Sequence, residues 1–461
     1  MRRSTRGIAA LLTAAAVAAS ATACANIGAS DGADRSVSGT VAVGAKACSK
    51  YGKSVTLTMG VSEAGQSIAE QDRQLARQFE KKYPNVTVNV QVKDFADSLK
   101  TIKLAMSGSN PPDLMQGNEG WAIDGALWKA GLIKDLSAYE KAYDWGTKFP
   151  ETALAANRFT ADGATFGTGK LTGLPQGVQY VGVFYNKKLL TKLGVTDPST
   201  LDDRDTLLAT VAKAKSAKLT PVMLGDSEKN WALHNLSLFN GWYVSPDDIT
   251  KWVYGTKGST YDDAGHVRAA TEFQSWMTKG YFNSDALSTS FNDAEARFAK
   301  NQAAFFVTGT WALGDLTQKM GDNVGFMLWP AGSSGKHAAV GGYSLPYTMS
   351  SKTKYPDCAA ALLNFVTAGP EAVRAQIASG RPSATTAGAK AHVSDPLLAQ
   401  MVADYTKLNA EKGLFPWEDW PTPTMLTLAE SQAQLLLSGK TTPKAYCVAL
   451  QKNWDDYLKS K

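Results

Sequence analysis

Two stretches of this sequence govern what it can fold into: residues 177–185, Gly-Val-Gln-Tyr-Val-Gly-Val-Phe-Tyr, and residues 339–346, Ala-Val-Gly-Gly-Tyr-Ser-Leu-Pro. Both are rich in strand-forming residues, both are flanked by Gly or Pro, and both lie between helix-rich regions. Strands so placed read as connections between two bodies. The loop 410–424, rich in Pro and Trp, reads as a third crossing, and three crossings divide the chain into two discontinuous lobes. The rest of the pattern agrees. Residues 55–59 alternate as a strand, a helical pattern carries Ile68, Leu75 and Phe79 as far as Pro84, and residues 86–90 form the next strand. Such a strand–helix–strand unit builds a right-handed parallel crossover. A helix over 96–107 then leads to a short strand at 113–115, with Gln116, Asn118 and Glu119 at its carboxyl end, where open α/β sheets bind ligands. This alternation predicts an α/β fold, and 461 residues, 44% hydrophobic, supply an ample core.

The first residues read as an export signal. Arg2, Arg3 and Arg6 form a basic start, residues 8–19 a short Ala-rich apolar run, and Ala21-Thr22-Ala23 supplies small residues before Cys24. A thiol there can take a diacylglycerol thioether, leaving a lipidated Cys24 as the new N-terminus. Ala21 stands where Leu is commoner, so ordinary secretion is the other reading. The apolar run is too short for a membrane span. Removing 1–23 lowers the formal charge from +6 to +3, and no long Lys/Arg block follows, so charge gives no argument for nucleic acid. Residues 24–53 read as a flexible tether, with order beginning near Ser54.

Lipidation of Cys24 leaves Cys48, Cys358 and Cys447, which predicts one disulfide and one free thiol without saying which pair forms. The four histidines, at 234, 266, 337 and 392, are scattered, no Cys/His cluster suggests a metal, and no cofactor is expected. Asp262-Asp263 matches half of a calcium loop, but the later spacing fails and a turn is expected.

Four segments carry a family resemblance: Pro112-Asp113-Leu114-Met115-Gln116; Gly169 to Pro175 followed by Phe184-Tyr185-Asn186-Lys187; Phe298 to Phe305 followed by Gly309-Thr310-Trp311; and Leu437-Ser438-Gly439-Lys440 leading to Trp454-Asp455-Asp456-Tyr457. In their order and spacing the chain resembles the extracellular solute-binding proteins that include maltose-binding protein. The resemblance implies a two-lobe periplasmic-binding-protein fold, type II-like, with three hinge crossings and ligand in the cleft. The expected lobes are 54–174 with 345–408, and 178–341 with 412–461. It also implies a monomer that works with the permease subunits of an ABC transporter and touches the membrane only through its lipid.

A sugar presents hydroxyls that need paired donors and acceptors, and C–H faces that stack on aromatic rings. The chain has 12 Trp, several in loops that should meet a cleft. Trp231, Trp311, Trp417 and Trp420 are the candidate platforms, and Trp311 also falls at the family's platform position. Trp128, Trp276 and Trp454 stand in helical patterns and read as core. The polar candidates are Glu63, Gln116, Asn118, Glu119 and Gln179. Tyr343 beside Gly341-Gly342 joins them, with Arg381 as a weaker addition. The alternative for Glu63 is an acid stabilised at a helix N-terminus. These loops suit an uncharged di- or oligosaccharide, with amino sugars and polyols as further options. A secreted glycoside hydrolase would also use Trp platforms, with Glu63 and Glu119 as a carboxylate pair. The leader and hinge-like strands favour binding over turnover, and over a structural or adhesive surface protein.

Overall fold

The computed structural model describes residue 36 and residues 40–62, 65–332 and 334–460. Two sheets organise these residues. The first has the order β2-β1-β3-β12-β6. Here β1 (Val55–Val61) runs parallel to β2 (Val86–Val92) and β3 (Leu114–Gln116). β12 (Tyr347–Met349) returns antiparallel between β3 and β6 (Gly173–Leu174). The helix Gln66–Lys82 makes the crossover from β1 to β2 and buries Leu75 and Phe79 against the sheet. Between β3 and β6 lie short helices and a small hairpin of β4 (Arg158–Phe159) and β5 (Lys170–Leu171).

The second sheet has the order β13-β11-β7-β9-β8, with β10 also on β7. Its centre is β7 (Val178–Asn186), buried at every residue, so Tyr180 to Tyr185 form an apolar run rather than an alternating one. β9 (Ala303–Gly309) lies antiparallel on one side of β7, with β8 (Thr220–Met223) parallel beyond it. On the other side, β11 (Ala339–Tyr343) pairs with the first residues of β7 and β10 (Val324–Met327) with the last. β13 (Leu414–Phe415) closes the edge beside β11.

The chain passes between the sheets at 175–177 and 344–346, and these crossings are laced together. Ser344 Oγ accepts hydrogen bonds from the N–H groups of Gln176 and Gly177, at 3.1 and 3.0 Å, and the Ser344 N–H donates to the Gly177 carbonyl at 2.8 Å. The segment 382–384 lies alongside, with Val178 N donating to Pro382 O at 2.8 Å and Ala384 N to Gln176 O at 3.0 Å.

The third return to the second sheet differs from the sequence expectation. The helix Pro396–Glu411, expected in the first lobe, packs on the second. It buries Leu398, Met401 and Leu408 there, Tyr180 Oη donates to Met401 O at 2.8 Å, and Gln400 Nε2 donates to Phe326 O at 2.8 Å. The crossing therefore lies between the hinge residue Ala384 and Pro396, and the 410–424 loop belongs to the second lobe.

The tether also ends earlier than expected. Ala47 and Cys48 are fully buried in a short helix, Lys46–Ser49, because Cys48 is bonded to Cys358. Asp357 reinforces this corner, accepting from Tyr139 Oη at 2.7 Å and Ala42 N at 3.0 Å and pairing with Lys50. Among the described residues Cys447 is the one free thiol, buried, with its pKa pushed up to about 12 by desolvation. Cys24 lies outside the described residues. Asp263 accepts from the N–H groups of Gly265 and His266 and caps the helix Ala264–Thr278, which is the turn expected there. Among the described residues no helix is long and apolar enough to cross a membrane, and no group of His, Cys, Asp or Glu could hold a metal.

Candidate functional site

The lobes meet face to face. Trp121 N donates to Trp420 O at 3.0 Å, and the apolar core of the second lobe runs on into Ile102, Met115 and Trp121 of the first. Gly120 permits this approach: its φ is +83°, and a Cβ there would lie 2.6 Å from Trp420 Cβ. Trp420 is thus a wedge between lobes, edge-on to Phe166 at 5.7 Å, and does not line the cleft.

Between the lobes is a cavity of about 880 Å³, open solvent at its mouth included. Asn118, Glu119 and Phe95 reach it from the first lobe, Trp231, Trp311 and Trp417 from the second, and Gln179 and Tyr343 from the strands nearest the hinge. Seven of the residues singled out from sequence therefore converge on one space. Gln116 does not. Its side chain is wholly buried, and Oε1 accepts from Ser62 N at 2.8 Å, so its carboxamide pins the loop after β1. Arg381 is buried in the hinge, donating from Nη2 to Gln176 Oε1 at 2.7 Å, beside Asp72, which accepts from Gln176 Nε2 at 2.7 Å and Tyr347 Oη at 2.8 Å. Glu63 lies outside the described residues.

The heart of the cavity is a ring cluster built on the helix Trp231–Tyr243. His234 follows Trp231 by one helical turn, so both present to the same face. The imidazole sits 5.1 Å from Trp231, 5.4 Å from Trp311 and 4.9 Å from Trp417, centroid to centroid. Trp231 is stacked on Phe291 at 3.9 Å, which fixes its plane. Trp311 follows β9 and folds back over Gly309, where a Cβ would lie 1.9 Å from the indole. The small residue before Trp311 thus makes room for the indole itself rather than for a ligand.

Polar atoms in this cluster lack protein partners. Trp231 Nε1, Trp311 Nε1, His234 Nδ1 and Asn230 Oδ1 are buried without a hydrogen bond. Buried polar groups are normally satisfied, so these four atoms in one cavity are free to bond a molecule that enters it. Desolvation pushes His234 down to about 3, so its ring is neutral near pH 7 and offers one donor and one acceptor.

Two acids on the 412–424 loop face the same space. Glu418 is tied to the helix, accepting from Ser237 Oγ and Asn240 Nδ2 at 2.7 Å each, and burial raises its pKa. Asp419 next to it is half-buried and accepts no hydrogen bond from another described residue; desolvation pushes it up to about 7, with Glu430 and Glu418 adding repulsion. His234, Glu418 and Asp419 were not among the sequence candidates. The available signal was position alone, His234 one turn after Trp231 and the acids between Trp417 and Trp420.

Comparison with known proteins places this geometry. The model of the bacterial extracellular solute-binding protein family matches residues 65–373. An uncharacterized ABC transporter extracellular-binding protein of Pyrococcus horikoshii is 24% identical over 299 residues, covering 63% of each chain. The multiple sugar-binding protein of Streptococcus mutans is 25% identical over 204 residues, 43% of this chain and 47% of that one. The chain thus spans less than two thirds of the length of these curated relatives. Among solved structures, a chitin oligosaccharide binding protein superimposes with a TM-score of 0.74 at 23% identity, over 88% of this chain and 99% of that one. Half-chain matches at this identity speak for fold, whereas the family model spans most of both lobes and the first two hinge crossings. The chain belongs to the bacterial extracellular solute-binding protein family.

Proposed function

We propose that the protein is the extracellular substrate-binding component of an ABC importer, that it captures a di- or oligosaccharide between its lobes, and that it delivers the sugar to the membrane permease. One observation carries the reading: three indoles around a neutral imidazole, in a cavity walled by both lobes, with polar atoms left for a ligand to satisfy. Ring faces suit the C–H faces of a pyranose, and the free N–H groups and the Asn230 carboxamide suit its hydroxyls. Walls drawn from both lobes give ligand a preference for the closed form, which is how such a protein would report occupancy to a permease. In this reading the protein is a monomeric binder rather than an enzyme. It is held at the outer face of the membrane by a lipid on Cys24 and needs no cofactor.

A thermal-shift screen of the mature protein against neutral and amino sugars tests the proposal. A binder of the native state raises stability by about 2.7 kcal/mol at a hundredfold excess over its Kd. The proposal requires at least one sugar to raise the melting temperature; a full panel without a shift contradicts it. For the anchor, mass spectrometry of the membrane fraction should find a diacylated Cys24, and Cys24→Ser should release the protein into the medium.

A further inference from the structure

The charge of the cleft narrows the class of sugar. Carboxylates line the cavity from both sides, Glu119 from the first lobe and Glu418 and Asp419 from the second, while no Lys or Arg is found among the described lining residues. The lysines that act on a nearby acid, Lys100 and Lys229, bear on Glu430, outside this wall. Glu418 and Asp419 stand side by side in one half-buried wall, where desolvation favours their protonated forms, so a cation beside them is what favours the ionised carboxylate. A neutral sugar can hydrogen-bond to these oxygens but does nothing to favour their ionised form.

A second feature points the same way. The indoles of Trp231 and Trp311 are more than nine-tenths buried, line this cavity and leave Nε1 unpartnered, so the wall is built for a ligand and not only for packing. Indole faces are also the strongest side-chain partners of a cation. Trp311 and Trp417, 6.1 Å apart, flank the space that Asp419 faces. A carboxylate without a protein partner beside clustered indoles is a receptor for an ammonium group.

We propose that the cleft selects, within the sugar class, a ligand carrying a protonated amine, with Asp419 as its ion-pair partner and the indoles around His234 as its walls. The inference rests on the sugar-binding reading above. The amine pairs with the ionised Asp419, where a neutral ligand leaves the carboxyl to hold a proton. A hydroxyl sugar of the same shape gains the stacking but not the ion pair.

Calorimetric titration with matched pairs tests this: glucosamine against glucose, galactosamine against galactose, and the β-1,4 glucosamine dimer against cellobiose. In at least one pair the amine member should bind about 10- to 100-fold more tightly, the range of a charge-assisted contact in a partly dry site. Asp419→Asn should remove most of that preference, weakening the amine member by a clearly larger factor than the hydroxyl member. Glu119→Gln, on the opposite wall, should reduce the preference by a smaller factor and serves as the second variant if Asp419→Asn does not fold. Hydroxyl members binding as well as their amine partners in every pair would overturn the charge inference and leave the sugar reading standing. Absence of binding by both members of all pairs would overturn the charge inference, and only the absence of a shift across the full sugar panel as well would overturn the sugar reading.

Discussion

Asp315 of the second lobe accepts a hydrogen bond from the backbone N–H of Ser67 in the first, at 3.0 Å, and so caps a helix that belongs to the other lobe. Its second oxygen takes the Gln66 N–H at 2.9 Å. The helix Gln66–Lys82 has no side-chain cap of its own, since Gly65 stands at its N-cap. Two orphan N–H groups are thus satisfied only while the lobes are together, and the carboxylate also meets the positive end of the helix dipole.

This contact should act as a closure latch. Losing a capping side chain costs about 0.5–2 kcal/mol. Asp315→Ala should therefore weaken ligand affinity by roughly 2- to 30-fold, because the closed form becomes harder to reach. X-ray scattering should show a larger radius of gyration for the ligand-free variant than for the wild type. Unchanged scattering and unchanged affinity would show that Asp315 does not bias closure.

Trp311 should matter more for binding than for folding. Trp311→Ala should cost on the order of 2–4 kcal/mol of binding, as at other aromatic hot spots, or roughly 30- to 900-fold in Kd. Its ring is enclosed by Trp417, His234 and Gly309, so the melting temperature should fall as well. Trp311→Phe should recover most of the stability and part of the affinity. Calorimetry beside thermal melts separates these effects, and near-normal affinity for Trp311→Ala would return Trp311 to a packing role.

Asp419 makes a signed prediction about pH. Burial raises it to about 7 in the fold, above its ordinary 3.8. The folded state therefore binds the extra proton between these values, and the stability this contributes is present in full below about pH 4 and lost as pH rises through 7. Asp419→Asn has no such proton. Relative to the wild type, the ligand-free variant should be more stable at about pH 8 than at about pH 4.5. Asp124, Asp226 and Asp404, also raised by burial, are common to both proteins and drop out of the difference. Denaturant titrations at the two pH values check it, and a difference that is flat or reversed in pH would contradict the desolvated setting of this half-buried carboxyl.

The Cys48–Cys358 bond should stabilise the fold without touching the cleft. It closes a loop of 310 residues at the far edge of the first lobe, joining the short helix Lys46–Ser49 to the helix Pro356–Thr367. Replacing both cysteines by Ser should cost on the order of 2–4 kcal/mol of stability. Sugar affinity below the melting transition should be unchanged. Loss of affinity in a folded variant would mean that this corner communicates with the site.

How far the sequence could be read follows from which physical signals are local. The strands at 178–186 and 339–343 were legible because Gly and Pro punctuate them and their apolar runs can only be buried. That Trp231, Trp311 and Trp417 would line the cleft was legible because each stands at an element end or in a loop. His234 was not, because ten of the thirteen residues of its helix are buried, so periodicity does not show which side meets the cleft. Gln116 looked like a ligand residue, but a backbone N–H at Ser62, distant in sequence, claims its carboxamide. The 410–424 loop has the composition of a crossing, while the crossing itself was betrayed only by the packing of Leu398, Met401 and Leu408. The disulfide partner of Cys48 lies 310 residues away, beyond any local pattern.

The most direct test of the account is a crystal structure of the protein with the tightest-binding sugar from the panel. It should show a pyranose between the lobes with a ring face on Trp311 or Trp231, and with hydrogen bonds from the ligand to Asn230 Oδ1, His234 Nδ1 and the Asp419 carboxylate. A sugar bound outside this cavity, or within it but leaving those atoms unpartnered, would contradict the assignment of the interlobe cleft as the capture site.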